Sequence, residues 1–169
     1  TIPTPADGIC QWDAKNIREQ AVVADEIIRQ LTKANVLNIT TSECNVTSGA
    51  VTHICTHIYG TATSAKAYSE LLDTLSPTPA LGGWPRNDAL GLIRKYERHP
   101  RQLYGGYISL EDGATAQAYV TLRCAHTDSQ GRYCIYTGSG ILANSDAETE
   151  RDETALKAST LLHSILNII

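Results

Sequence analysis

The chain has 169 residues, 42% of them hydrophobic, enough for one hydrophobic core and so for one domain. Fourteen Lys and Arg against 18 Asp and Glu leave a net charge of -4 with no basic stripe, which argues against a nucleic-acid surface. No apolar run approaches the ~20 residues of a membrane span, and the N-terminus lacks a charged-then-apolar signal pattern.

Residues 1–12 hold prolines at 3 and 5 and a glycine at 8, and are expected to form a loop or tail before a domain at 13–169. Asp13 is a good N-cap for a helix whose buried stripe would be Ile17, Ala21, Ala24, Ile28 and Leu31. From residue 36 to 59, β-branched and polar residues alternate, predicting two strands around a turn at 45–49. Residues 65–75 predict a short helix stopped by Pro77 and Pro79, and a second short helix follows Asn87. Three strands are expected at 103–110, 116–125 and 133–136, with turns at Glu111-Asp112-Gly113 and at 128–131, as an antiparallel meander. A long helix over 146–166 should pack its Leu and Ile face, Leu162, Ile165 and Ile169 included, on that sheet. The class is therefore α+β, an antiparallel sheet layer packed with helices.

Cys10, Cys44, Cys55, Cys124 and Cys134 are an odd set without close pairs. That spacing fits neither a zinc site nor a disulfide framework, so reduced thiols in a cytoplasmic compartment are expected. The chain has no Met and no Phe. Without Met it cannot start at its own initiator, and processing or cutting is inferred.

The most informative segment is Gly138-Ser139-Gly140-Ile141 with the helix behind it. Glu150, Glu153 and Lys157 are spaced i, i+3 and i+7 and share one helical face. Two carboxylates one turn apart can hold a hard divalent cation, and a lysine one turn on can hold a substrate carboxylate. Spacing alone favours a solvated helix whose acidic residues sit at its positive end.

Five further motifs bear on that choice. This segment resembles the C-terminal signature of the chorismate-utilising enzymes, among them isochorismate, anthranilate, aminodeoxychorismate and salicylate synthases. Lys15-Asn16-Ile17-Arg18-Glu19-Gln20 resembles the start of their metal-binding helix, and His53 in Val51-Thr52-His53-Ile54 stands where they have a histidine near the substrate ring. Pro77-Thr78-Pro79-Ala80-Leu81-Gly82-Gly83-Trp84-Pro85-Arg86 resembles their loop before a helix. Leu103-Tyr104-Gly105-Gly106-Tyr107 is similar to a strand opening, and Thr121-Leu122-Arg123-Cys124-Ala125 to the strand with their substrate-binding arginine. The motifs run in family order from Lys15 onward, and they imply a part of the chorismate-binding fold.

The resemblance implies Mg²⁺ as cofactor and chorismate as substrate. Glu19 and Glu153 would be direct metal ligands, with Glu150 acting through water. Such an ion takes oxygen ligands and commonly one or two protein carboxylates. Lys157 would lie near the ring carboxylate. Arg123, paired with the Tyr104 hydroxyl, would hold the enolpyruvyl carboxylate, and the backbone at Gly138 would approach the substrate closely. His53 is either a ring neighbour or a satisfied core histidine, and Glu19 by itself is an ordinary exposed helix residue. Ala80 favours water as nucleophile, because aminating and salicylate-forming members generally carry threonine there. Ser76 and Gln20 depart from the isochorismate pattern, where histidine is common at both.

The family's general-base lysine, and its general-acid glutamate in a stretch like Glu-Ala-Leu-Ala-Gly-Thr, have no counterpart here. The expectation is thus a C-terminal portion of an isochorismate synthase, inactive alone and prone to self-association. An aminating or salicylate-forming relative and a non-catalytic binding module are the alternatives.

Overall fold

The computed structural model describes residues 2–48, 51–62, 67–113 and 115–166. The chain divides into two units, Thr1–Pro79 and Ala80–Ile169.

In the first unit, helix α1 (Ala14–Lys33) starts where the Asp13 carboxylate accepts the Asn16 N–H at 2.7 Å, the cap that the sequence predicts. Strands β2 (Leu37–Ser48) and β3 (Val51–Thr61) pair antiparallel, and Cys44 stands opposite Cys55. The expected turn at 45–49 is later than drawn: residue 48 still pairs with 51, and 49–50 lie outside the described residues. The expected tail instead contributes β1 (Ile2–Pro3), which adds to the other edge of β3. An edge strand tolerates Pro3 because its missing N–H can face away from the ladder.

The buried stripe of α1 differs from the expected one. Ile17 and Ala21 are exposed, whereas Asn16, Gln20, Ala24, Ile27, Ile28 and Leu31 turn inward. Gln20 Nε2 donates to Thr56 Oγ1 on β3 at 3.1 Å, so a polar bond fixes the helix's rotation near its start. Glu26 is buried, paired with Arg29 and accepting from Gln30 Nε2 at 2.6 Å. Helix α2 (Ala67–Leu75) packs on α1; the expected start at 65 falls outside the described residues.

The one-turn helix α3 (Pro79–Gly82) falls at the boundary, and α4 (Arg86–Tyr96) follows in the second unit. The expected three-strand meander is instead two separate ribbons, β4 (Tyr107–Glu111) with β5 (Ala116–Val120) and β6 (Cys124–Thr127) with β7 (Tyr133–Tyr136). The predicted strand over 116–125 breaks at 121–123 because Thr121 is drawn off elsewhere. Its N–H donates to Gly106 O at 2.9 Å, its carbonyl accepts from Gly105 at 2.9 Å, and its hydroxyl donates to Leu103 O. Gly105 reaches that position at φ +82, open to glycine without strain.

Helix α5 (Ala147–Leu166) closes the chain. Its inward stripe is Glu150, Thr154, Lys157, Ala158, Leu161 and Ile165, while Leu156, Leu162 and Leu166 are exposed. The apolar face expected around Leu162 is therefore rotated by about one residue, and Ile169 lies outside the described residues.

Candidate functional site

The second unit gathers several sequence-predicted residues around the start of α5. Asp146 caps that helix, accepting the Thr149 N–H and hydroxyl, both at 2.9 Å. The Thr149 backbone bond, then its hydroxyl, holds the Asp146 carboxyl below the usual aspartate range. Just before it, Ser145 Oγ accepts the Leu142 N–H at 3.0 Å and donates to Glu150 Oε1 at 2.7 Å. The carboxylate of Glu150 is thus anchored at the mouth of the helix.

Lys157 is the hub. Its ammonium lies 2.5 Å from Glu153 Oε1 and donates to the Gly138 carbonyl at 3.0 Å. Thr137 Oγ1 donates to Thr154 O at 3.1 Å, so residues 137–138 are tied to α5 at two consecutive turns. An ammonium has three donors, which leaves one for an anionic ligand. Glu153 Oε2 bonds no described residue and stays open to a cation.

Gly138 is required by a close approach: a Cβ there would collide with the Tyr104 hydroxyl. Tyr104 stacks on Tyr136 at 6.3 Å, and Tyr136 stacks on His126 at 5.5 Å. Burial pushes the Tyr104 phenol up, more strongly than Arg101 pulls it down, so it stays a protonated donor at neutral pH.

Arg101 is a residue that sequence reasoning missed. Its guanidinium lies 5.5 Å over the Tyr104 ring. It grips both Glu97 oxygens, at 2.8 and 2.5 Å, and donates to Leu81 O on α3 at 2.7 Å. The available signal was Glu97 and Arg101 at i, i+4 just ahead of the Leu103-Tyr104-Gly105-Gly106 motif.

The remaining predicted residues lie on other elements. Arg123 lies exposed at the bend between β5 and β6, not within a strand, and Leu122 beside it is exposed too. Tyr104 therefore meets Arg101 where the sequence suggested Arg123. Ala80 is exposed on α3. In the first unit, Glu19 is an exposed helix residue 3.9 Å from Lys15, and His53 is half-buried on β3 opposite Val46.

The family model described as "Chorismate binding enzyme" matches residues 10–166. The chain belongs to that family. It is 31% identical over 139 residues to the isochorismate synthase EntC of Escherichia coli (strain K12), covering 82% of this chain and 35% of that one. Identity to the isochorismate synthase DhbC of Bacillus subtilis is 29% over 155 residues, 90% of this chain and 39% of the relative. The putative isochorismate synthase MenF of Mycobacterium tuberculosis (strain H37Rv) is 35% identical over 121 residues, 70% and 32% of the two chains. The chain thus spans between 32% and 39% of the length of these relatives.

Membership gives the cluster on α5 a context that spacing alone could not. Among the described residues no helix is long and apolar enough to cross a membrane.

Proposed function

We propose that the chain is the C-terminal portion of an isochorismate synthase, an isomerase that converts chorismate to isochorismate for menaquinone or siderophore biosynthesis in the cytoplasm. The observation that carries this reading is Lys157, set between Glu153 and the carbonyl of Gly138, a glycine that itself lies against the Tyr104 hydroxyl. Chorismate is a dianion, so exchanging its ring hydroxyl with water requires both carboxylates to be fixed. Lys157 and Tyr104 supply a cationic and a neutral donor on one side, and Arg123 supplies the guanidinium for the enolpyruvyl arm.

The donor set fits a hard cation. Glu153 keeps one oxygen open, Glu150 is anchored one turn away, and every candidate atom is a carboxylate oxygen. Glu153 and Glu19 would hold Mg²⁺, with Glu150 acting through water. When bound, the ion would polarise and neutralise the ring carboxylate. Lys157 orients that carboxylate, the backbone at Gly138 approaches the substrate closely, and Arg123 holds the second carboxylate.

Proton transfer is assigned to a lysine base and a glutamate acid that these 169 residues lack. The chain alone should therefore bind chorismate weakly and turn it over negligibly. It should also self-associate, because Ile108, Leu110 and Tyr119 on the β4–β5 ribbon are all exposed.

The test is to incubate the full-length parent with chorismate and Mg²⁺, with and without ammonia, and identify the products. Isochorismate in both arms is expected. An aminated product with ammonia, or salicylate, would replace water as the assigned nucleophile or extend the reaction. No turnover by a parent lacking the lysine and glutamate would leave a binding module.

A further inference from the structure

The β2–β3 hairpin carries a second group of ligand-type side chains, which takes no part in the proposed chorismate chemistry. Sequence spacing hides it, because Cys44 and Cys55 lie eleven positions apart. The hairpin register puts them directly opposite each other, with His57 two residues beyond Cys55 opposite Ser42. Strand alternation turns Cys44, Cys55 and His57 to one face. Gln20 and Trp12 bond Thr56 and Asn45, which alternation places on the other face, so α1 does not cover the thiols.

The ligand atoms already sit at coordination spacing. The His57 Nε2 is 3.4 Å from Cys44 Sγ and 3.8 Å from Cys55 Sγ, and all three atoms lie within 4.8 Å of one another. Tetrahedral zinc, with bonds of about 2.3 Å to sulfur and 2.0 Å to nitrogen, needs sulfur–nitrogen separations of about 3.5 Å and sulfur–sulfur separations of about 3.8 Å. The two sulfur–nitrogen separations thus ask for shifts of a few tenths of an ångström, and the sulfur–sulfur separation for about 1 Å at most. The His57 ring is steadied by stacking on Tyr59 at 6.2 Å.

We propose that Cys44, Cys55 and His57 form a binding site for a thiophilic divalent cation of the zinc type, three protein ligands with the fourth tetrahedral position open. All five cysteines are free thiols, so no disulfide competes in this state. Binding would release the thiol protons to form the thiolate ligands. Ligand softness separates the two sites. Thiolate and imidazole select zinc-type ions, whereas the α5 carboxylates suit Mg²⁺, so the hairpin site stands whether or not the chorismate reading does.

The test is a Co²⁺ titration of the reduced 169-residue chain under argon, followed by Zn²⁺ competition. One equivalent should give tetrahedral ligand-field bands and a thiolate-to-cobalt charge-transfer band, and Zn²⁺ should abolish both. Cys44→Ser and Cys55→Ser should each weaken binding roughly tenfold or more and reduce the charge transfer, whereas His57→Gln should weaken binding but keep it. Circular dichroism checks that each variant folds. A chain with Cys10, Cys124 and Cys134 all changed to serine should keep the full spectrum, which tests the site without touching it. The proposal is overturned by absent charge transfer in the parent chain, by bands that persist unchanged in Cys44→Ser, or by bands lost from the triple variant. A Cys44–Cys55 disulfide as the site's only chemistry, seen by intact mass, would overturn it too.

Discussion

Arg101→Ala offers the sharpest structural test of the second unit. The guanidinium connects four things: both Glu97 oxygens at 2.8 and 2.5 Å, the Leu81 carbonyl at 2.7 Å, and the Tyr104 ring at 5.5 Å. A charged hydrogen bond to a part-buried carbonyl contributes about 1.5–3 kcal/mol. The Glu97 side chain is 40% exposed, so solvent screening holds that pair to roughly 1 kcal/mol at most. The cation–ring contact adds about 0.5–1 kcal/mol. These terms overlap, and the expected loss is about 2–4 kcal/mol. With a urea slope of about 2 kcal/mol per molar, the middle of the usual range, the midpoint should fall by roughly 1–2 M. Trp84 belongs to this unit, and a Trp12→Phe background makes its fluorescence the sole tryptophan signal. Arg101→Lys should recover less than half of the loss, because an ammonium cannot span Glu97 and Leu81 as a planar fork does. A loss below about 0.5 kcal/mol in Arg101→Ala, or full recovery in Arg101→Lys, would refute this account.

Four further outcomes are expected. In the full-length parent, Glu153→Gln should abolish Mg²⁺-dependent turnover with the fold intact by circular dichroism; normal activity at low Mg²⁺ would sink the metal assignment. Arg123→Ala should raise KM and lower kcat together, at a cost on the order of 2–4 kcal/mol, and unchanged kinetics would place Arg123 elsewhere. Asp146 has its folded pKa depressed, so its stabilisation of α5 is present above the ordinary aspartate value of 3.8 and is lost as pH falls below it. Asp146→Asn should flatten that acid loss, and an unaltered profile would count against the cap. Sedimentation of the 169-residue chain should show a dimer or larger species, and a monomer at every concentration would contradict self-association.

Element ends with a local chemical cause were legible in the sequence. Asp13 and Asp146 begin their helices by accepting backbone N–H groups three residues on, and Asp128 with Gly131 at φ +78 closes the β6–β7 turn. What was not legible depends on partners distant in sequence. The run over 116–125 reads as one strand until Leu103, Gly105 and Gly106 claim Thr121. Pro3 reads as tail until β3 offers an edge. Arg101 has no motif of its own, because one of its partners is twenty residues upstream. Cys44 and Cys55 read as unrelated thiols, since a turn whose register is one residue off would place them on opposite faces. The site shows the same division. Glu150, Glu153 and Lys157 follow from helical period, and Gly138 reaches Lys157 only through packing.

The rotation of α5 explains why its apolar pattern misled and why that matters for the site. A helix oriented by hydrophobic burial alone would turn Leu156 and Leu162 inward, at about 1.5–3 kcal/mol for each side chain fully buried. Instead these two stay exposed, and the stripe facing the rest of the unit is polar in its first half and apolar in its second. Leu161 and Ile165 anchor the far end. Glu150, Thr154 and Lys157 face the segment at 137–138 and Ser145, where hydrogen bonds rather than burial fix their angle. Stability forgone in this way marks a helix whose orientation serves its charged residues. Glycine at 138 completes the arrangement, since a Cβ at that point would collide with the Tyr104 hydroxyl while the Gly138 carbonyl accepts from Lys157.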